Sequence, residues 1–105
     1  MSTKNEKNAT LKFLEKKTRG PVTFGKLIEA IRLGEALTQP ALAKQLGISK
    51  SHLNDIEKGR KSVSPERAAH FANLLGYSKE RFITLSLQAM LDEAGLNFIV
   101  EVKAA

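Results

Sequence analysis

Apolar residues recur along the chain in blocks of helical spacing, each closed by a glycine or a short polar stretch. Phe24, Leu27, Ile28 and Ile31 stand at i, i+3, i+4 and i+7, one face of a helix predicted over residues 24–36 with Thr23 as its cap. Leu42, Ala43 and Leu46 form the inner side of a second helix capped by Thr38. Pro40 is tolerated in its first turn, where N–H groups have no helical acceptor. Gly47 supplies a turn residue that a Cβ would hinder, and Ile48 plugs the corner. A third helix over 49–58 is capped by Ser49, buries Leu53 and Ile56, and stops at Gly59. Ser64-Pro65 starts a fourth, with Ala68, Phe71, Ala72 and Leu75 inward and Gly76 at its end. Ser78 caps a last helix over 79–94, ended by Gly95. The period then falls to two: Leu96, Phe98, Val100 and Val102 alternate with Asn97, Ile99, Glu101 and Lys103, which predicts a β-strand.

The last helix carries two apolar patches, one of Ile83, Leu87, Met90, Leu91 and Ala94, the other of Phe82, Leu85 and Ala89, with Lys79, Ser86 and Glu93 as a thin polar seam. A small domain has one core, so one patch is expected inside and the other against a partner. Phe82, Leu85 and Ala89, with Phe98, Val100 and Val102 of the strand, are assigned to a symmetric dimer contact. The alternative is that both patches close on the chain's own core and N-terminal helix. A lone strand leaves backbone groups unpaired, which a second copy's strand or a different protein would satisfy.

A helix with a small apolar residue, a glycine, an apolar plug and a second capped helix are the parts of a helix-turn-helix. Ala43 and Gly47 are expected to let its two helices approach closely. With Leu53 and Ile56 inward, the third helix turns Ser51, Asn54, Asp55 and Lys58 outward, with Lys50 beside them. Short polar residues with little acid charge suit a DNA groove, although the solvated face of an ordinary bundle would use the same ones. Arg32, Thr38-Gln39, Leu42-Ala43, Leu46-Gly47-Ile48-Ser49 and Ile56-Glu57-Lys58-Gly59-Arg60 stand at the intervals of the phage-repressor and Cro-like (XRE) helix-turn-helix family, which residues 24–77 resemble. Val63 departs from the family, which often has proline there.

The resemblance implies an all-α, five-helix, lambda-repressor-like DNA-binding domain over residues 22–77. A basic N-terminal arm with a short helix would precede it in 1–21, and a dimerising helix and β-strand would follow in 78–105. It implies that Arg32 pairs with Glu57 and ties the first helix to the end of the third. Lys50, Ser51 and Asp55 occupy the family's base-contacting places, and Asn54 also points outward. Gln39 would hold a phosphate at a helix N-terminus, and His52, Lys58, Arg60 and Lys61 are phosphate-clamp candidates. By chemistry Lys50 suits guanine O6/N7, Asn54 adenine N6/N7 and Asp55 cytosine N4–H₂, unless Lys58 neutralises Asp55 locally.

Charge sharpens the partner. The net charge of +6 divides into +4 over residues 1–20, +3 over 21–76 and −1 over 77–105. A polyanion for the first two parts and a protein for the last fit this split, as does plain solubilisation by lysine. Residues 1–9 read as a polar arm, and 10–17 as a short helix with Leu11 and Leu14 inward, broken by Arg19-Gly20-Pro21. The arm would follow phosphates or enter a minor groove, or be a frayed tail. The chain has no cysteine, and His52 and His70 alone suggest no metal site or cofactor. No apolar run approaches membrane-spanning length and no signal core opens the chain, so a cytoplasmic protein with no membrane partner is expected. There is no nucleophile set and no phosphate loop to suggest an enzyme. The expected function is a homodimeric regulator, most simply a repressor, on palindromic double-stranded DNA. An antitoxin that binds a toxin protein through its arm or C-terminal strand and controls its own operon is the alternative, and an adaptor without DNA affinity a third.

Overall fold

Among the described residues, each of the first four helices opens on a hydroxyl that accepts from the backbone N–H three residues on: Thr23 from Lys26, Thr38 from Ala41, Ser49 from His52 and Ser64 from Arg67, at 3.0–3.2 Å. These caps satisfy N–H groups that lack a helical acceptor, and so set where each helix begins. The computed structural model describes residues 22–105, and the arm and short helix expected before them lie outside the described residues. The helices are α1 (Phe24–Gly34), α2 (Gln39–Leu46), α3 (Lys50–Glu57), α4 (Pro65–Leu75) and α5 (Lys79–Glu93). None is long and apolar enough to cross a membrane.

Two helix ends differ from expectation. Helix α1 stops at Gly34, and Ala36 takes the left-handed conformation at φ 55°, while the Leu37 N–H reaches back to the Arg32 carbonyl at 2.9 Å. Ser78 does not cap α5 with its side chain; its hydroxyl donates to Glu80 instead.

The core gathers the predicted inward faces of α1 to α4, with Leu27, Ile28, Leu42, Leu53, Ile56, Ala68 and Phe71 all but sealed from water. Val63, read as a loop detail, is also buried there. The predicted closeness at Gly47 is corrected: a Cβ there would meet nothing within 4 Å, so its glycine serves the φ of 70° that ends α2. The close approach is at Gly25, where a Cβ would overlap the Ile56 carbonyl oxygen and lie 2.9 Å from that of Glu57. Helix α1 therefore rests directly on the last turn of α3.

The assignment of Phe82 to a dimer contact is also corrected. Phe82 is 0% exposed. Its ring meets Phe24 edge-on at 5.8 Å and lies at the same distance from Tyr77. Three aromatic rings thus fasten the start of α1 to α5, a contact that area burial and ring quadrupoles both favour. Burial, with a smaller contribution from Glu35, pushes the Tyr77 phenol above its ordinary pKa. Ser86, read as part of a polar seam, is 2% exposed and donates to the Val63 carbonyl, which makes its burial tolerable. The inner side of α5 is therefore the Phe82–Ser86 side, with Leu85 packed on the core, while Met90 on the other patch stays exposed.

The predicted C-terminal strand does not form. Residues 96–105 carry no regular structure, and no strand is present among the described residues to pair with them. Their backbone groups find other partners. The Phe98 N–H bonds back to Leu96, the Gln88 amide nitrogen donates to the Phe98 carbonyl at 2.8 Å, and the Gln88 oxygen accepts from the Val100 N–H at 2.9 Å. A primary amide offers the same donor and acceptor as a peptide unit, so Gln88 does for this tail what a neighbouring strand would have done.

The Gly25 contact yields a sharp expectation. Gly25→Ala should lower unfolding free energy by about 3 kcal/mol, because two backbone carbonyls cannot move aside cheaply. Gly34→Ala, where an added Cβ meets nothing within 4 Å, should leave stability equal or higher in the same urea titration.

Candidate nucleic-acid interface

Helix α3 lies against α2 across a turn that Ile48 partly fills, and its inner side is Leu53, Ile56 and Glu57. That geometry decides the rest of the helix. Lys50 and Ser51 are exposed, and His52, Asn54 and Asp55 are half-buried at the rim of the same face. On either side of Gly59, Lys58, Arg60 and Lys61 are exposed together. The described surface therefore presents a polar helix face followed directly by three cations.

The structure brings Arg32 and Glu57 into a bidentate ion pair, Arg32 Nε to Glu57 Oε2 at 2.8 Å and Arg32 Nη2 to Glu57 Oε1 at 3.1 Å. The Glu57 side chain is 0% exposed. The third guanidinium nitrogen donates to the Leu37 carbonyl at 3.2 Å, which holds the link between α1 and α2. The hydrogen bonds to Glu57 raise the Arg32 pKa further above its already high ordinary value, outweighing the opposite effect of burial.

Gln39 is where the structure adds most to the sequence reading. Its amide nitrogen donates to Glu57 Oε1 at 3.2 Å and to Asn54 Oδ1 at 3.1 Å. Both amide hydrogens, which would have served a phosphate, are used inside the protein. Arg32, Gln39, Asn54 and Glu57 form one network across α1, α2 and α3.

Asp55 pairs with Arg60, not with Lys58. Arg60 Nε stands 2.9 Å from Asp55 Oδ1, and Lys61 Nζ stands 3.9 Å from Oδ2. The Asp55 carbonyl also accepts from the N–H groups of Arg60 and Lys61 at 2.8 and 3.2 Å. One residue thus folds the basic loop back onto the end of α3 and offsets its own negative charge. The turn at Gly59, φ 76°, allows the chain to reverse there. Spacing alone hinted at this, since an acid five residues before an arginine across a glycine is placed to meet it. Nothing in the sequence marked Gly25 or the inward use of Gln39.

Breaking the ion pair from one side leaves a charge stranded in the interior. Glu57→Ala should lower stability by about 3 kcal/mol, while the double variant Arg32→Met/Glu57→Leu should lose clearly less, both read from urea unfolding.

A family model described as a helix-turn-helix domain matches residues 23–82, more than half of the chain. No curated protein and no solved structure matches it.

Proposed function

Because the chain belongs to the helix-turn-helix domain family, we propose that it is a sequence-specific, double-stranded DNA-binding transcriptional regulator that works as a homodimer on a palindromic site. The observation that carries the reading is the outward face of α3, Lys50, Ser51, Asn54 and Asp55, continued by Lys58, Arg60 and Lys61 on a loop anchored to the same helix. Lys50 and Ser51, at the N-terminal end of α3, read base edges. His52, Lys58, Arg60 and Lys61 hold phosphates, and Gln39 contributes at the first turn of α2 through its backbone. Asp55 serves chiefly to set Arg60. A regulator of this kind acts as a repressor by occupying DNA that other proteins need.

Two copies place their α3 helices about one turn of DNA, roughly 34 Å, apart. Leu85, assigned to this contact with Phe82, is packed on the chain's own core instead; Ala89 on α5, with Phe98, Val100 and Val102 of the tail, supplies the contact between copies. The exposure of Leu96, of Phe98 at 66% and of Ile99 at 89% supports an apolar partner for this end of the chain. The same exposure favours a second reading, in which the tail serves a toxin protein and the chain is its antitoxin. Co-purification with the product of a neighbouring gene distinguishes the two.

If a dimer neutralises about eight phosphates, log K should fall with log salt at a slope of about −7. Lys58→Ala should weaken binding to operator and random DNA alike and reduce the slope by about 2 per dimer. Arg60→Ala should do more harm, since it also releases the Asp55 carboxylate toward the phosphates. Ser51→Ala should change base preference instead. Fluorescence anisotropy over a salt series measures all three, and equal effects of all variants on both DNAs would refute direct reading. Truncation after Gly95 should lower dimer affinity in sedimentation equilibrium; an unchanged dimer would remove the tail from the contact.

A further inference from the structure

A side-chain amide has two ends of opposite chemistry, and the end held by the protein decides which end is offered outward. Glu57 starts such a chain of decisions. Its buried carboxylate only accepts, and Arg32 fixes its position. The end of Gln39 that reaches Glu57 must therefore be the NH₂ group, as the 3.2 Å contact has it. The second hydrogen of that nitrogen points to Asn54, so Asn54 must answer with its oxygen, at 3.1 Å. Turned over, Asn54 would set donor against donor. Gln39 cannot turn over to relieve that, because its oxygen would then face the Glu57 carboxylate. Asn54 Nδ2 is left with no partner among the described residues, on a half-buried side chain one helical turn from the exposed Lys50 and Ser51.

We propose that Asn54 is a hydrogen-bond donor of fixed orientation toward DNA, and that Gln39 is the residue that positions it. This rests on the DNA-binding reading above and gives it a chemical content. The acceptor on the DNA is guanine O6 or N7, adenine N7, thymine O4, or a phosphate oxygen. Cytosine is disfavoured opposite Asn54, because its groove edge offers only the N4–H₂ donor. Orientation is thus transmitted from an ion pair in the interior to a surface amide, without any change of charge at the surface.

Two measurements test this separately. In the free protein, hydrogen exchange of side-chain amides followed by NMR should show the Gln39 NH₂ protected about ten-fold relative to the exposed Gln45, while the Asn54 NH₂ exchanges like that of the exposed Asn73. Equal exchange at Gln39 and Gln45 overturns the lock whatever the protein binds. On DNA, selection from a random pool is compared for the wild type, Asn54→Ala and Gln39→Met. If the acceptor is a base, Asn54→Ala erases a preference for guanine, adenine or thymine over cytosine at one position of each half-site, and Gln39→Met admits cytosine there, since the freed amide can turn over. If the acceptor is a phosphate, Asn54→Ala lowers affinity for all sequences by about 3- to 10-fold with the salt slope unchanged, because a neutral group displaces no counterion. Gln39→Met then lowers it in part. Cytosine specified through Asn54 in the wild type, an unaltered profile and affinity in Asn54→Ala, or Gln39→Met indistinguishable from wild type overturns the proposal. A wild type without salt-dependent DNA retention defeats the regulatory reading itself and the donor role with it, and the exchange result still reports whether the lock exists.

Discussion

A carboxylate without access to water must be surrounded by donors, and Glu57 is the constraint that the rest of the domain satisfies. Its side chain is fully enclosed and takes hydrogen bonds from Arg32 on α1 and Gln39 on α2 while belonging to α3. Three helices must therefore be in register at once for the charge to be tolerated. Such a pair adds little to stability beyond what apolar residues of the same volume would give, since desolvation offsets most of the attraction. What it supplies is geometry. An arrangement that shifts α3 by half a turn would strand the carboxylate, and that penalty removes it from the accessible states.

Packing agrees with this electrostatic frame. The absence of a side chain at Gly25 lets α1 touch the carbonyls of Ile56 and Glu57, the same turn of α3 that carries the buried charge. At the other side, the rings of Phe24, Phe82 and Tyr77 join the start of α1 to α5. Helix α1 is thus held on both faces, and α3 inherits its position from it. The exposed face of α3 owes its fixed direction to contacts on the opposite side of the helix.

Most of the helical architecture could be read in the chain because its caps and spacings speak locally. Thr23, Thr38, Ser49 and Ser64 each stood three residues before the N–H they cap. The errors came where local pattern is silent. Helix α5 has apolar residues on two sides, and periodicity does not say which side turns in; the aromatic partners of Phe82 come from distant sequence. Ser86 looked like a surface residue because its acceptor, the Val63 carbonyl, lies 23 residues away. The alternation after Gly95 was genuine, but a strand is a pairing and not a pattern, and no strand among the described residues was there to pair with. At the candidate interface, the outward residues followed from the helix face, whereas the direction of the Asn54 amide depends on three residues spread over three helices.

The grip of Gln88 on the tail has a consequence for how these molecules behave when crowded. A segment such as Leu-Asn-Phe-Ile-Val, apolar and β-prone, is the kind that stacks into cross-β fibrils when its backbone is unoccupied. Here the Phe98 N–H and carbonyl and the Val100 N–H are already bonded within the chain. An incoming strand must first displace the glutamine, and the charges of Glu101 and Lys103 stand immediately beyond. One amide thereby occupies backbone groups that a stacking strand would otherwise use.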